Sequence, residues 1–264
     1  MVSLDDVGVQ GVRVKRRKRR FKKVPTLMGA QDRKSYWILR HATLTVNAGD
    51  VLILSDQGGT RGGPMLRMLC GLLHPDVGTV AGPTRAVLLS PPHKRLIKSL
   101  SVGQGIRMLG GLYGMTDAEI AERYEEIVEF AEVRKLISKP MDEIDPSLWR
   151  QVAFAVGTSA PVELIGIDSM SAVGSTTFRA KCLPRLRQRV ADGTALAVIG
   201  GSADIVSAIG TRAVELRKGR VVEMAVGTAA DLAREQATQR RELRRARRRA
   251  GRRDEDDDDD YRDF

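Results

Sequence analysis

Residues 51–73 read VLILSDQGGTRGGPMLRMLCGLL, and this stretch decides the fold. It opens with Val51–Leu54, a continuously apolar run of the kind expected for a strand buried on both faces of a sheet. A glycine-rich loop follows, and from Met65 to Leu73 the apolar residues recur at helical spacing. Strand, glycine loop and helix in this order are the layout of a phosphate-binding fold.

Strands and helices alternate on both sides of this stretch. A short edge strand is predicted at Val2–Val9, and residues 38–54 predict two strands joined as a hairpin by the turn at Asn47–Asp50. Thr116 followed by Glu119 is a capping box that starts a helix. Further strands are predicted at 85–89, 162–167 and 195–199, helices within 102–137 and at 149–158 and 178–190, and a hairpin at 213–224 about Lys218-Gly219. This alternation predicts a parallel α/β core with an inserted helical segment.

The composition is that of an ordinary globular protein. Hydrophobic residues make up 42% of the 264 residues, enough to bury a core. No stretch approaches the ~18 apolar residues that a membrane-spanning helix needs, and the N-terminal residues lack the pattern of a signal peptide. Cys70 and Cys182 stand in apolar or helical contexts, so we expect two reduced core residues rather than a disulfide.

The net charge of +11 is concentrated in short runs. Residues 13–23 (RVKRRKRRFKK) hold nine basic and no acidic residues, and without them the net charge falls to +2. Residues 240–253 hold nine arginines and one glutamate, and Asp254–Asp260 then follows with seven consecutive acids. Like-charge runs of this kind are typical of solvated segments or interaction arms.

Several blocks occur in an order that resembles one known family. The blocks are YWILRHATLTV (36–46), MLRMLCGLLHPDVGTV (65–80), GIRMLGGLYGMTDAEIAERYEEIVEFAEV (105–133), IDSMSAVGSTTFRAKCLPRL (167–186) and AVELRKGRVVEMAVG (213–227). Together they resemble the ATP-binding subunits of ABC transporters that export O-antigen, capsule or teichoic-acid-type polysaccharides. The resemblance implies an α/β fold: a P-loop (RecA-like) ABC nucleotide-binding domain with an N-terminal antiparallel β subdomain and an inserted helical subdomain.

The resemblance also divides the chain. It covers residues 1–234, which we expect to form the cassette, with a basic insert at 13–23 and the helical subdomain at about 100–158. The remaining residues, 235–264, are expected to be a charged, disordered tail.

The resemblance places the phosphate loop at Asp56–Pro64, DQGGTRGGP. A hydrolysing cassette carries a lysine for the phosphates and then a hydroxyl for Mg²⁺, but Gly62 and Gly63 stand at these positions. Asp56 replaces the first glycine of the loop and adds negative charge near the phosphates. Arg61 is expected to be a solvated loop arginine, with a phosphate contact as the alternative. The degenerate candidate contacts to nucleotide are Tyr36 and Trp37 for adenine stacking, and Gly58, Gly59, Arg61, Gly62 and Gly63 in the loop.

Positions outside the phosphate loop are substituted as well. The signature position, which faces the γ-phosphate from a second subunit, is Ser147, and the glutamate that would serve as base is replaced by Ser169. Gly201 stands at the switch histidine. Asp168 is retained; a strand-end acid that caps local backbone is the favoured interpretation, and a remnant metal ligand is the alternative. The family's glutamine or glutamate after the 85–89 strand and its bridging acid correspond to Ser90 and Ser175.

Six independent functional elements, the phosphate loop and the five substituted positions outside it, are therefore changed while the packing segments around them are kept, which indicates a pseudo-ATPase. We expect a regulatory or scaffolding partner in export of a cell-envelope polysaccharide, with no or weakly bound ATP and no Mg²⁺. The expected partners are an integral-membrane transporter subunit, a second cassette in a homo- or heterodimer, and the anionic membrane surface through residues 13–23. The expected location is cytoplasmic, at the inner face of the cell membrane.

Two alternatives stay open from the sequence. The chain could be an active ATPase that uses Arg61 in place of the lysine and Asp168 for the metal. It could also bind nucleic acid or another anionic polymer through its basic runs. Phe21 is the one aromatic residue in 13–23, which gives little support to base stacking, so nucleic acid is not an expected partner.

Overall fold

A computed structural model describes residues 1–13, 34–57, 59–89, 99–168, 176–200 and 203–249. The strands are β1 (Val2–Arg13), β2 (Lys34–Val46), β3 (Val51–Ser55), β4 (Val77–Ala81), β5 (Ala86–Leu88), β6 (Leu164–Asp168), β7 (Ala195–Ile199), β8 (Arg212–Arg217) and β9 (Arg220–Met224). The helices are α1 (Gly62–Leu69), α2 (Val102–Leu112), α3 (Asp117–Phe130), α4 (Pro146–Ser159), α5 (Thr176–Ala191), α6 (Ala203–Ile209) and α7 (Val226–Arg249).

The core is a six-stranded sheet with the order β5-β6-β7-β3-β8-β9. Its first five strands run parallel, and β9 pairs antiparallel with β8. Strand β3 lies between β7 and β8, and none of its residues Val51–Leu54 is more than 3% exposed. The predicted α/β fold and the doubly buried strand are both confirmed.

The two faces of this sheet contact different layers. Val51 and Ile53 belong to a buried cluster with helices α2 to α6, whereas Leu52 and Leu54 pack with α1 and with β1 and β2. Alternation of this kind follows from the pleat, because successive side chains of a strand point to opposite faces. The sheet is therefore the middle layer of the molecule.

The second sheet has three strands in the order β2-β1-β4, all antiparallel. Two predictions fail here. The strand at Val2–Val9 lies in the centre of this sheet instead of at its edge, because β4 pairs with its far side. The hairpin predicted about Asn47–Asp50 does not form, since β2 pairs with β1 while β3 pairs with β7 and β8. The turn, with Gly49 at φ +76°, carries the chain from one sheet to the other.

Helices α2, α3 and α4, called the helical unit below, are inserted between β5 and β6. The predicted capping box is confirmed, since Thr116 Oγ1 accepts the Glu119 N–H and Glu119 Oε2 accepts the Thr116 N–H. Helix α4 begins at Pro146, three residues before the predicted start, because Asp145 caps it and proline is favourable in a first turn. The unit packs on the six-stranded sheet through residues such as Ile106 and Trp149.

The hairpin predicted near the C-terminal end of the described chain is confirmed. Strands β8 and β9 meet at Lys218 and Gly219, whose φ angles of +49° and +85° suit a two-residue turn of the primed type. Helix α7 then runs without a break from Val226 to Arg249, so the domain boundary predicted at residue 234 falls inside a helix. Cys70 and Cys182 are both free and buried, as predicted. Among the described residues, no helix is long and apolar enough to cross a membrane.

Candidate functional site

The candidate site is a cavity where the carboxyl ends of β3, β6 and β7 meet. Open α/β sheets bind their ligands at this edge. The cavity has a volume of about 230 Å³. Its lining consists of Ile53, Leu54, Ser55, Asp56, Gly59, Gly62, Gly63, Asp168, Ile199, Gly200, Val206, Ala229, Ala233 and Gln236. The structure thus brings together four sequence-predicted residues: Gly59, Gly62, Gly63 and Asp168.

Asp56 determines the chemistry at the start of α1. Its Oδ2 accepts the backbone N–H of Arg61 at 2.6 Å and that of Gly62 at 2.8 Å. The Asp56 side chain is only 2% exposed. Free N–H groups at a helix N-terminus are the donors that bind a phosphate in phosphate-binding loops. In this chain the carboxylate of Asp56 already occupies two of those donors.

This capping role of Asp56 goes beyond the charge repulsion that its position in the loop predicts from the sequence. A signal was present, since aspartate just before a helix is a favoured acceptor for the first N–H groups. The residue lies five positions before Arg61, however, so its carboxylate reaches them only because the intervening loop turns back. A hydrogen bond from the Gly59 N–H to the Asp56 carbonyl, 3.3 Å long, accompanies this turn.

Gly62 is the position at which a hydrolysing cassette has lysine. A Cβ atom at Gly62 would lie 3.1 Å from Cδ1 and 3.2 Å from Cγ2 of Ile199, so a side chain requires Ile199 to shift by a few tenths of an ångström. At Gly63 a Cβ atom would meet nothing within 4 Å. Because both positions are glycine, Gly62 and Gly63 supply neither an ammonium group nor a hydroxyl to the cavity.

Asp168 and Arg61 are the two charged residues of the active-ATPase alternative. Asp168 ends β6, is exposed and lines the cavity. Arg61 is not part of that lining, and its Nη1 lies 4.0 Å from Oδ1 of Asp56. The arginine charge therefore lies next to the carboxylate that accepts the N–H groups of Arg61 and Gly62. Within the described part of the chain, no three His, Cys, Asp or Glu side chains come together as a metal-binding group.

Helix α7 closes one side of the cavity. Ala229, Ala233 and Gln236 of this helix line it, next to Val206 of α6. The sequence did not predict this contribution, because no helix was predicted after the hairpin at 213–224 and residues 235–264 were expected to be disordered. The small residues at 229, 230 and 233, which recur at helical spacing, are the signal that could have indicated close packing here.

The signature position, Ser147, lies away from the cavity, at the start of α4 in the helical unit. Its backbone N–H donates to Oδ1 of Asp145 at 2.7 Å, and Pro146 before it has no N–H to donate. A carboxylate of the chain therefore caps this helix start too. The helix starts that the resemblance assigns to phosphate binding are thus each capped by an aspartate of the chain, Asp56 at α1 and Asp145 at α4.

Tyr36 and Trp37, the candidate adenine contacts, lie on β2 of the three-stranded sheet and do not line the cavity. They are 44% and 39% exposed. Their rings lie over β1, since Cβ atoms built at Gly11 and Gly8 would approach the Tyr36 and Trp37 rings within 3 Å. Both rings are thus supported by glycines and partly open to solvent.

Several predicted positions lie outside the described residues. They are Gly58, Ser90, Ser169, Ser175 and Gly201, together with residues 14–23 of the basic insert. Their interpretation rests on the sequence alone.

Comparison with known proteins gives relatives of low identity. No family model matches the chain. Over 191 residues it is 27% identical to the ABC transporter protein AbcA of Aeromonas salmonicida, covering 72% of this chain and 62% of that protein. Over 208 residues it is 24% identical to the teichoic acids export ATP-binding protein TagH of Listeria monocytogenes, covering 78% and 61%. The chain therefore spans about three fifths of the length of these two relatives.

A third relative is matched over more of its length. The O-antigen export system ATP-binding protein RfbB of Klebsiella pneumoniae is 24% identical over 196 residues, which cover 74% of this chain and 79% of that protein.

Solved structures match over most of the chain. An ATP-binding subunit of an ABC transporter superimposes with a TM-score of 0.66 at 15% identity, covering 85% of this chain and 89% of that one. A dimeric post-hydrolysis state of the ATP-binding cassette MJ0796, bound to ADP and Pi, gives a TM-score of 0.66 at 17% identity, covering 86% and 99%. The fold is that of ABC ATP-binding cassettes, and relatives in sequence include ATP-binding proteins of teichoic acid and O-antigen export.

Proposed function

We propose that this chain is a cassette-type subunit of a cell-envelope polysaccharide exporter that does not hydrolyse ATP and instead regulates or scaffolds the transporter. One observation carries the proposal: the buried Asp56 carboxylate occupies the N–H groups of Arg61 and Gly62 that would otherwise face a phosphate. A γ-phosphate brought to this site would meet a fixed negative charge, and the catalysis of phosphoryl transfer depends on stabilising negative charge.

The residues next to Asp56 support the same conclusion. Gly62 and Gly63 supply no cation and no hydroxyl, and Arg61 points its charge at Asp56 rather than into the cavity. Of the two acids in the described lining of the cavity, Asp56 accepts two backbone N–H groups, which leaves Asp168 as the exposed carboxylate for a metal. Mg²⁺ bound by a single carboxylate relies on nucleotide phosphates for its remaining ligands. We therefore expect weak or no ATP binding and no bound Mg²⁺.

The assignment to export rests on the relatives. TagH and RfbB are named as ATP-binding proteins of teichoic acid and O-antigen export, and both match more than 70% of this chain. On this basis the partners are an integral-membrane transporter subunit and a cassette, either a second copy or an intact homologue. The protein would work at the cytoplasmic face of the cell membrane, with the basic residues 13–23 against anionic lipid.

ATP turnover by the purified full chain tests the catalytic part of the proposal. Phosphate release is measured with Mg²⁺, for the chain alone and for the chain co-purified with its membrane partner. We expect no release above buffer, and the same result for Asp168→Asn. Equilibrium dialysis with labelled ATP is expected to give a Kd weaker than about 1 mM. Turnover that Asp168→Asn abolishes would establish the active-ATPase alternative instead.

A genetic test addresses the transport part. Removal of the chain from cells should lower the amount of polysaccharide at the cell surface, and both the wild-type chain and Asp168→Asn should restore it. Restoration by the wild type alone would show that an active ATPase is needed. An unchanged surface polymer after removal would separate this chain from export altogether.

A further inference from the structure

Helix α3 of the helical unit is held at its first turn by a cation from the core. Arg85, directly before β5, donates from Nη1 to Oε1 and from Nη2 to Oε2 of Glu119, both at 2.8 Å. The same Nη2 donates to the carbonyl of Gly114 at 2.5 Å. Two parallel bonds between a guanidinium and a carboxylate fix the relative orientation of the two groups, which a single contact does not.

The other end of α3 is held by α5, a helix that packs on β7 of the core. Lys181 Nζ donates to the carbonyl of Phe130, the last residue of α3, at 3.1 Å and lies 2.7 Å from Oε1 of Glu132. A cation is favourable at this point because the unsatisfied carbonyls of a helix C-terminus carry partial negative charge.

Two arginines lie one and two turns further along α5 and contact the helical unit and the residues that follow it. Arg185 pairs with Glu126 of α3 and donates to Ser159 Oγ at 2.9 Å, at the end of α4. Arg189 donates to the carbonyls of Ala160 and Val162 at 3.0 and 3.3 Å. Burial lowers the pKa of the Arg189 guanidinium. Residues four apart lie on one helix face, so Lys181, Arg185 and Arg189 present a row of charges to the helical unit.

Aromatic packing accompanies this row. Phe178 of α5 is 1% exposed, and its ring lies 5.4 Å from that of Phe130 and 6.0 Å from that of Phe154, both edge to face. Lys181 and Arg185 also lie over the Phe130 ring, at 5.1 and 5.4 Å from its centre. The contact between α5 and the helical unit therefore combines ion pairs with apolar packing.

We infer that these contacts form a latch that fixes the helical unit to the α/β core in one orientation, with or without nucleotide. The latch consists of Arg85–Glu119 at the start of α3 and Lys181 and Arg185 at its end. Because α3 is held at both ends, it cannot pivot about a single contact. Its use as a rigid docking platform for the transporter rests on the proposed function, but the latch itself does not.

Distance measurement between two spin labels tests the latch. Leu72 near α1 and Leu112 at the end of α2 are 62% and 63% exposed, and each is replaced by a labelled cysteine in a chain whose buried Cys70 and Cys182 are alanine. In the full chain, double electron–electron resonance should give one narrow distance distribution that Mg-ATP leaves unchanged. The triple variant Arg85→Met, Lys181→Met and Arg185→Met removes the latch. Its distance distribution should be about twofold broader or contain a second distance.

Arg187→Met is the matched control, because Arg187 lies on the same helix and donates instead to the carbonyl of Ala208 at 3.2 Å. It should leave the distribution narrow. If the triple variant does not fold, Arg85→Met and Lys181→Met are measured separately, each expected to broaden the distribution. A broad or nucleotide-dependent distribution in the unaltered chain, or a narrow one in folded latch variants, would overturn the inference. If the unaltered chain hydrolysed ATP and still gave a narrow distance distribution, the proposed function would be rejected but the latch would stand.

Discussion

The carboxylate of Asp56 lies 2.8 Å from the backbone nitrogen of Gly62, and the two residues bracket the loop that phosphate would enter. The contact joins the end of β3 to the start of α1 within one short segment. An internal anion in this position stabilises the helix start and removes the same donors from any external anion. Stability and nucleotide binding are therefore expected to respond to Asp56 in opposite directions.

Asp56→Asn should lower the free energy of unfolding by about 1–2 kcal/mol, because the carboxylate is buried and its hydrogen bonds are charge-assisted. Urea unfolding followed by circular dichroism measures the change. Gln57→Ala alters an exposed neighbour in the same loop and should stay within about 0.5 kcal/mol. Equal stability of Asp56→Asn and wild type would show that the negative charge of Asp56 does not stabilise the start of α1.

Much of the fold was predictable because it depends on local patterns. The apolar run Val51–Leu54 and the capping box of Thr116 and Glu119 each determine their element without help from distant residues. The central position of β1 was not predictable, since it depends on β4. That strand has four exposed residues in five and so lacks the alternation by which a strand is recognised.

The location of the site was predictable from the sequence, but the capping of its helix N-terminus by Asp56 was not. Gly62, Gly63 and Asp168 meet in the cavity because the carboxyl ends of parallel strands share one edge of the sheet. The occupation of the helix N-terminus by Asp56 depends on how the chain turns between Asp56 and Arg61, marked by the bond from the Gly59 N–H to the Asp56 carbonyl, and short-range patterns do not fix this turn. The closure of the cavity by Ala229 and Ala233 depends on where α7 docks, and this is set by tertiary packing.

Gly166→Ala is expected to disturb the packing of helix α1, whose N-terminus lines the cavity, against strand β6. Gly166 lies in β6 under α1, and a Cβ atom there would lie 2.6 Å from Cys70 Sγ and 3.1 Å from Leu66 Cδ1. Both neighbours are buried, so their side chains or helix α1 must shift, at a cost of about 1–3 kcal/mol in the free energy of unfolding. Urea unfolding of the variant gives this value.

A double-mutant cycle identifies the cause of that loss. Cys70→Ala removes the sulfur that the new methyl group would meet, so the double variant should lose less stability than the two single losses added together. The burial that makes this contact close also raises the pKa of the Cys70 thiol to about 12, so the sulfur stays protonated and uncharged throughout the measurement. Additive losses would show that the strain lies elsewhere.

The stability that Glu119 contributes should depend on pH in the acid range. The hydrogen bonds from Arg85 lower the pKa of the Glu119 carboxyl from 4.5 to about 2 in the folded chain. A carboxyl whose pKa is lower in the folded state stabilises that state fully above its unfolded pKa, and the contribution is lost as the pH falls towards the folded value. The contribution should therefore be complete at about pH 6 and decline between about pH 5 and pH 2.

Urea midpoints of the wild type and Glu119→Gln, measured from pH 6 to pH 2, test this dependence. The difference between the two proteins should be largest at pH 6 and shrink steadily towards pH 2. Glu122→Gln is the matched control, because Glu122 lies on the same helix with its side chain 70% exposed and pairs with Arg123 on that helix rather than with the core. Its effect should be small, since exposed ion pairs contribute little. A Glu119→Gln difference that stays constant down to pH 2 would mean that the Arg85 bond does not select the ionised carboxylate, and one end of the latch would then be without its charge.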